Sequence, residues 1–164
     1  MEDRKGEHPL GDLGQLVCAA VFITVWAADT FFFHWSTFLK SSVPNSVRMM
    51  LLGMCLLLTF ILVWTSHHVV TGQQRPEHVI DTGPFHYVRH PVYLGALFAY
   101  LGTALSSLSL ISLALIVPVF LFYDYIASYE ERVMEAKFGD AYRDYETRTG
   151  KWIPGVGRMA AAGA

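Results

Sequence analysis

The feature that most constrains the fold is a run of 32 uncharged residues at positions 92–123. A bilayer core needs only about 20 helical residues to be crossed once, so this run is too long for one ordinary span. Three serines within residues 105–109 interrupt it near its middle. The run therefore predicts two short helices that form a hairpin, at about residues 92–106 and 109–126.

Two earlier apolar runs predict further membrane spans. Residues 13–33 and 49–66 carry 21 and 18 largely apolar residues, and they predict spans at about 13–36 and 47–66. Only 16% of the chain is charged, against about a quarter in soluble domains. We therefore predict one all-α integral membrane domain over residues 1–164, with about four transmembrane helices and both termini on one side.

The charge distribution predicts the orientation of these spans. Ten of the twelve basic residues lie in the N-terminus, in the second loop at 67–91, or after the fourth span, whereas the first loop holds only Lys40 and Arg48. Basic segments stay on the cytoplasmic side, so we expect both termini and the second loop there. The net charge of −2 argues against a nucleic-acid partner.

The C-terminal tail is expected to be a cytosolic helical segment. Its pattern predicts a helix near residues 127–138 that stops at Gly139, followed by a second helix capped by Asp140 and ended by Gly150. Together with the second loop, the tail at 127–154 supplies nearly all polar side chains that are available for chemistry.

Polar residues gather at both ends of the predicted hairpin. Arg89 and His90 precede its first helix, which carries Tyr93 in its first turn, and Glu130 and Glu131 follow its second helix. A helical hairpin brings its two ends together, so these five side chains should converge at one site near the membrane surface.

Each of these residues also has a simpler interpretation. Arg89 could anchor the chain at the lipid interface, and the paired glutamates could form a solvated helix face. His86 and His90 have the spacing of a metal pair, but Pro91 disfavours a helix there and no third ligand is evident, so no metal is expected. Asp29 and His34, in the first span, either line an acceptor channel or lie near the interface.

The motifs at these positions resemble the isoprenylcysteine carboxyl methyltransferase family and the related phospholipid methyltransferases. The resemblance rests on VIDTGPFHYVRHPVYLG at 79–95 and on EERVMEAKFGDAYRDYETRTGKWIP at 130–154, in order and at the expected spacing. It covers about half of the chain. Phe85 replaces a usual tyrosine, and Lys151 stands where arginine is common.

The resemblance implies an S-adenosylmethionine-dependent enzyme that methylates the carboxylate of a lipid-like, isoprenylcysteine-type acceptor. It places the cofactor contacts at nine positions, namely His78, Val79, Ile80, Gly83, Tyr87, His90, Tyr93, Glu130 and Glu131. Arg89 would hold the acceptor anion, and an Arg89→Ala variant would then keep its affinity for the donor. Either Glu130 or Glu131 would pair with the ammonium of the donor.

Three other functions stay open at this stage. A phospholipid amine N-methyltransferase would need a base, for which His86, His90 and Glu131 are candidates. A related group of membrane sterol reductases uses NADPH, but Val92 and the paired glutamates depart from its pattern. A non-catalytic membrane scaffold would give no reason for this cluster of polar side chains. The sequence does not indicate an oligomeric state.

Overall fold

The fold is a bundle of helices, as seen in a computed structural model that describes residues 11–72 and 78–155. Within these residues there is no extended strand, and short π-helical and 3-10 turns connect the longer helices. The helices are α1 (Gly11–Ala27), α2 (Asn45–Gly72), α3 (Pro91–Ser107), α4 (Leu110–Phe138) and α5 (Asp140–Arg148). The predicted all-α integral membrane class is confirmed.

Three helical segments of the described residues are long and apolar enough to cross a membrane: Gly11–Phe33, Asn45–Thr71 and Leu110–Phe138. Helix α3 has 17 residues, or about 25 Å, and is slightly short for a full span. It packs closely along α2. The protein is therefore a multi-pass membrane protein, whereas the count of four spans stays a prediction.

The hairpin between α3 and α4 turns where the sequence predicted it. Leu108 takes a left-handed conformation with φ of 51°, and Ser109 is the N-cap of α4. The hydroxyl of Ser109 accepts a hydrogen bond from the backbone N–H of Ser112 at 3.2 Å. Serine is among the residues preferred at this position, because its side chain satisfies an N–H that lacks a partner within the helix.

Helix α4 is longer than predicted. The sequence suggested a span that ends near residue 126 and a separate helix at 127–138, but one helix continues from Leu110 to Phe138. No glycine or proline lies between residues 119 and 138, so nothing interrupts the hydrogen-bonding pattern. The predicted stop at Gly139 is confirmed, whereas the prediction that Asp140 caps α5 is wrong, because Gly139 occupies that N-cap position.

Asp29 fixes the end of the bundle at which the hairpin turns. Its buried carboxylate accepts hydrogen bonds from the backbone N–H of Ser36 at 3.0 Å and from the hydroxyls of Ser36 and Ser109 at 2.5 and 2.6 Å. Asp29 lies in the π-helical segment Ala28–Phe33, which follows α1. The exposed His34 ends this segment in a left-handed conformation, with φ of 54°. Asp29 therefore ties the end of α1 to the hairpin turn.

The contact between α2 and α3 depends on a glycine. A Cβ atom at Gly102 would lie only 2.6 Å from the Cβ of Cys55, so the two helix backbones approach closely there. Gly53 on α2 has no atom within 4 Å of the equivalent position. Small residues allow such close packing between helices within a membrane.

These two glycines provide a matched test of the α2–α3 packing. Gly102→Ala is expected to destabilise the protein by about 1–3 kcal/mol, because the added methyl group overlaps Cys55. Gly53→Ala, in the same kind of helical setting, should be neutral or stabilising by up to about 1 kcal/mol. Thermal unfolding in detergent measures both changes, and equal melting temperatures for Gly102→Ala and the wild type would contradict the packing described.

Candidate active site

A cavity of about 570 Å³ lies where the starts of α1 and α3 meet the ends of α2 and α4. Apolar and aromatic groups make up much of its lining, with several ionisable side chains among them. Binding sites for small molecules are commonly concave and apolar, with a few polar groups that fix the orientation of the ligand. The lining residues are Gly11, Asp12, Gln15, Val70, His78, Val79, Ile80, Phe85, Arg89, His90, Pro91, Val92, Tyr93, Glu130, Met134, Phe138, Tyr142 and Tyr145.

Most of the cofactor positions predicted from sequence line this cavity. Six of the nine do so: His78, Val79, Ile80, His90, Tyr93 and Glu130. Arg89, predicted to contact the acceptor, also lines it. The structure thus brings these residues together, while their roles in binding stay predictions.

Gly83, Tyr87 and Glu131 do not line the cavity. Gly83 begins the short 3-10 helix Gly83–His86 with φ of +61°, a conformation that favours glycine. Tyr87 follows this helix and is 63% exposed. Glu131 lies behind the lining residues, where it contacts Arg89 and His90. Glu131 thus supports Arg89 and His90 from behind, while a contact of any of these three residues with the cofactor stays a prediction.

The convergence of the two hairpin ends is visible in direct contacts. The hydroxyl of Tyr93 donates a hydrogen bond to Glu130, and His90 Nδ1 lies 3.7 Å from Glu130 Oε2. His90 Nε2 is 3.2 Å from Glu131 Oε1. The rings of His90 and Tyr93 stack nearly parallel, with centroids 5.6 Å apart. The first turn of α3 is thus joined to both glutamates of α4.

Arg89 is buried and has several partners. Its Nε donates to Glu131 Oε1 at 2.8 Å, and its Nη1 donates to the carbonyls of Glu146 and Thr149 at 3.2 and 3.0 Å. Its Nη2 lies 3.8 Å from Glu146 Oε1. The side chain therefore joins α4 to the end of α5, and two carboxylates face its positive charge.

The tail docks onto the loop before α3. The backbone N–H of Arg89 donates to the carbonyl of Gly150 at 2.9 Å, next to an isolated bridge between Val88 and Gly150. The hydroxyl of Tyr145 donates to the carbonyl of Phe85 at 2.6 Å. Burial raises the pKa of Tyr145, so its phenol stays protonated and remains a donor at neutral pH. These contacts place α5 against the cavity.

Lys151 and Trp152 extend this docking along α4. Lys151 Nζ lies 2.7 Å from Asp124 Oδ1 and also donates to the hydroxyl of Ser128 at 2.7 Å. Trp152 Nε1 donates to Asp124 Oδ1 at 2.8 Å. Lysine can make these contacts as a compact cation, so the departure from the usual arginine is accommodated here.

Sequence reasoning missed part of the cavity wall. Tyr142 and Tyr145 belong to the FGxxYxxY motif, so the motif was a signal that could have assigned them to the site. Asp12 and Gln15 on α1 carry no motif, and only the packing of the helices brings them to the cavity. Among the described residues, no three His, Cys, Asp or Glu side chains are grouped so that they could hold a metal ion.

These features define a multi-pass helical membrane protein with a largely apolar cavity, which also carries several ionisable side chains, at one end of its bundle. Residues 42–141 match the model of the phospholipid methyltransferase family. The matched segment is more than half of the chain. The protein therefore belongs to this family. The predicted resemblance to the isoprenylcysteine methyltransferases and their relatives is thereby confirmed.

Individual relatives are similar over a shorter part of the chain. Protein-S-isoprenylcysteine O-methyltransferase of Schizosaccharomyces pombe is 30% identical over 89 residues, or 53% of this chain and 38% of the relative. The protein of the same name from Saccharomyces cerevisiae is 31% identical over 53% of this chain and 37% of the relative. Methanethiol S-methyltransferase 1 of Bradyrhizobium diazoefficiens is 28% identical over 54% of this chain and 30% of the relative. The chain thus matches less than two fifths of each relative.

Proposed function

We propose that the protein is an S-adenosylmethionine-dependent methyltransferase that acts on a lipid-like acceptor at the cytosolic membrane face. One observation carries the proposal. The family motifs at the two hairpin ends meet at a single cavity, which has the size and lining of a small-molecule site. A scaffold protein would have no need for such a site.

The cavity residues fit the chemical groups of this donor. S-adenosylmethionine carries an ammonium, a sulfonium, a carboxylate and an adenine, and it would supply a methyl carbon activated by the positive sulfur. Glu130 can pair with the ammonium, and His90 can donate to the carboxylate. Val79, Ile80 and Phe85 offer apolar surface for the adenine.

The protein's own contribution is to bind, orient and dehydrate the reactants. Methyl transfer is an in-line displacement, so the nucleophile must lie opposite the sulfur atom, and fixing this geometry accelerates the reaction. Tyr93 and His90 are held by the glutamates of α4, so this wall is already formed without the ligand. Exclusion of water from the cavity would strengthen the nucleophile.

The acceptor first proposed is a carboxylate of the isoprenylcysteine type. A carboxylate is already a nucleophile, and it becomes a methyl ester without a base when the carbon–sulfur bond of the donor breaks. The names of two relatives support this acceptor class. Apolar faces along the helices, such as that of α2 around Leu57 and Phe60, suit an acceptor that approaches from the bilayer.

A second candidate acceptor is a lipid amine. Among the residues that the structure describes, Arg89 is the arginine that lines the cavity, and its charge already faces Glu131 and Glu146. This arrangement leaves less positive charge for a carboxylate and favours a neutral or cationic head group. An ammonium must lose a proton before it can attack, and His90 is placed at the cavity to accept that proton.

The cytosolic orientation rests on the charge distribution. The starts of α1 and α3, the ends of α2 and α4, and the tail meet at one end of the bundle, as the topology of a hairpin requires. The basic residues cluster in the segments at this end. Such segments stay on the cytoplasmic side during insertion.

Labelled methyl transfer tests the proposed function directly. Membranes that contain the protein would be incubated with S-adenosylmethionine labelled in its methyl group, and membranes without the protein serve as the control. We expect protein-dependent label in the lipid fraction. Release of that label by mild base identifies an ester, whereas base-stable label identifies a methylated amine. No incorporation above the control would refute methyl transfer to lipid.

A further inference from the structure

Tyr142 lines the cavity with a phenol whose hydroxyl makes no hydrogen bond to any residue that the structure describes. The side chain is only 5% exposed. Within the same residues, the fully enclosed side-chain polar atom without a partner is Thr30 Oγ1, so the hydroxyl of Tyr142 still reaches accessible space. That space is the cavity, and a buried hydroxyl normally has a hydrogen-bond partner, so the partner here is expected to come from a ligand.

Tyr145, about one turn further along α5, provides the contrast. Its hydroxyl donates to the carbonyl of Phe85 at 2.6 Å and so holds the loop before α3. The rings of Tyr142 and Tyr145 have centroids 5.8 Å apart. The two phenols are therefore neighbours, and Tyr145 is the one whose hydroxyl the described part of the fold uses.

The fold holds the phenol of Tyr142 in place and in its protonated form. Arg89 donates to the carbonyl of Glu146 at 3.2 Å, which fixes the helix that carries Tyr142. Burial raises the pKa of Tyr142, and the charge of Glu131 acts in the same direction. The phenol is thus a hydrogen-bond donor at neutral pH, and it suits a ligand atom that carries a lone pair.

Tyr142 lies at the end of the cavity that is proposed for the adenosine. Its neighbour Tyr145 is bonded to Phe85, which offers apolar surface for the adenine together with other residues of the same loop. The charged groups of the donor pair instead with Glu130 and His90 in the proposed function. The ribose hydroxyls and ring nitrogens of adenosine accept hydrogen bonds, so a phenol at this end has a fitting partner.

We propose that Tyr142 is a donor-binding residue whose hydroxyl donates a hydrogen bond to the adenosine part of the methyl donor. This inference rests on the proposed function, since the ligand is the S-adenosylmethionine of the same cavity. Such a contact selects against ligands of similar shape that lack an acceptor group at this position.

The test is calorimetric titration of the full-length protein in detergent with S-adenosylhomocysteine, the demethylated donor. Tyr142→Phe removes a single oxygen atom, and we expect the affinity to fall about 2- to 12-fold, as for the loss of one neutral hydrogen bond. 5′-Methylthioadenosine keeps the adenosine and lacks the amino-acid part. Its affinity, measured by displacement of labelled S-adenosylmethionine, should fall by the same factor.

Tyr145→Phe is the matched control, because it removes the same atom from a phenol that bonds to the fold. It should lower the melting temperature of the ligand-free protein by about 2–4 °C, as for the loss of one hydrogen bond. Tyr142→Phe should leave that temperature unchanged or slightly higher, since no hydrogen bond to a described residue is lost.

Three results would overturn the inference. They are an unchanged affinity for S-adenosylhomocysteine in Tyr142→Phe, a loss of affinity for this ligand but not for 5′-methylthioadenosine, and a ligand-free protein destabilised as much as in Tyr145→Phe. The last would give Tyr142 a structural role. Absence of S-adenosylhomocysteine binding by the wild type would instead refute the proposed function, and this inference with it.

Discussion

Replacing Arg89 by alanine is expected to lower the stability of the protein, its donor affinity and its methyl transfer together. The guanidinium joins Glu131 on α4 to Glu146 and the carbonyl of Thr149 at the end of α5. Removing it takes away the cation that both buried carboxylates face, and breaking a buried ion pair typically costs about 3–5 kcal/mol. Because Tyr142 and Tyr145 of α5 line the cavity, loosening the tail should remove part of the donor site.

The matched control for this variant is Arg143→Ala. Arg143 also forms ion pairs, with Glu135 and Asp140, but its side chain is 62% exposed. Exposed pairs contribute little, so its melting temperature and donor affinity should stay near those of the wild type. Calorimetry and thermal unfolding in detergent measure both quantities. If Arg89→Ala kept full stability and donor affinity and lost only turnover, Arg89 would be an acceptor anchor, as expected from the sequence alone.

The second large effect is expected at Glu130. Glu130→Gln keeps the size of the side chain and an oxygen that can accept from Tyr93, but it removes the charge that would pair with the donor ammonium. Loss of one charge-assisted bond costs about 1.5–3 kcal/mol, so donor affinity should fall roughly 10- to 150-fold. Isothermal titration with the methyl donor measures this change.

Two neighbouring glutamates separate the role of Glu130 from general effects of charge. Glu131→Gln should lower thermal stability more than donor affinity, since Glu131 contacts Arg89 and His90 behind the cavity lining. Glu135→Gln, on the same helix and paired with exposed Arg143, should change neither quantity appreciably. Wild-type donor affinity in Glu130→Gln would show that this carboxylate does not contact the donor.

The hairpin and the convergence of its ends could be predicted because they follow from local patterns. The serines at 105–109 marked the turn that the structure places at Leu108. A hairpin necessarily brings its ends together, which is why the contacts of His90 and Tyr93 with the glutamates were foreseen. Here the length of the apolar run, its interruption by serines and the topology of a hairpin were sufficient.

The remaining features depend on packing between distant segments. Asp29 accepts a hydrogen bond from Ser109, which is 80 residues away in the sequence. Arg89 donates one to the carbonyl of Thr149, which is 60 residues away. No local pattern specifies such partners. The contribution of α1 to the cavity was missed for the same reason, since Asp12 resembles any acidic residue in a first helical turn.

Titration calorimetry of the purified, full-length protein in detergent tests the central claim most directly, with S-adenosylmethionine and NADPH as the two ligands. Family membership and the lining of the cavity predict saturable binding of S-adenosylmethionine and no binding of NADPH. The bound donor should also raise the melting temperature, because a ligand that binds only the folded state stabilises it. Binding of NADPH without binding of S-adenosylmethionine would contradict the account.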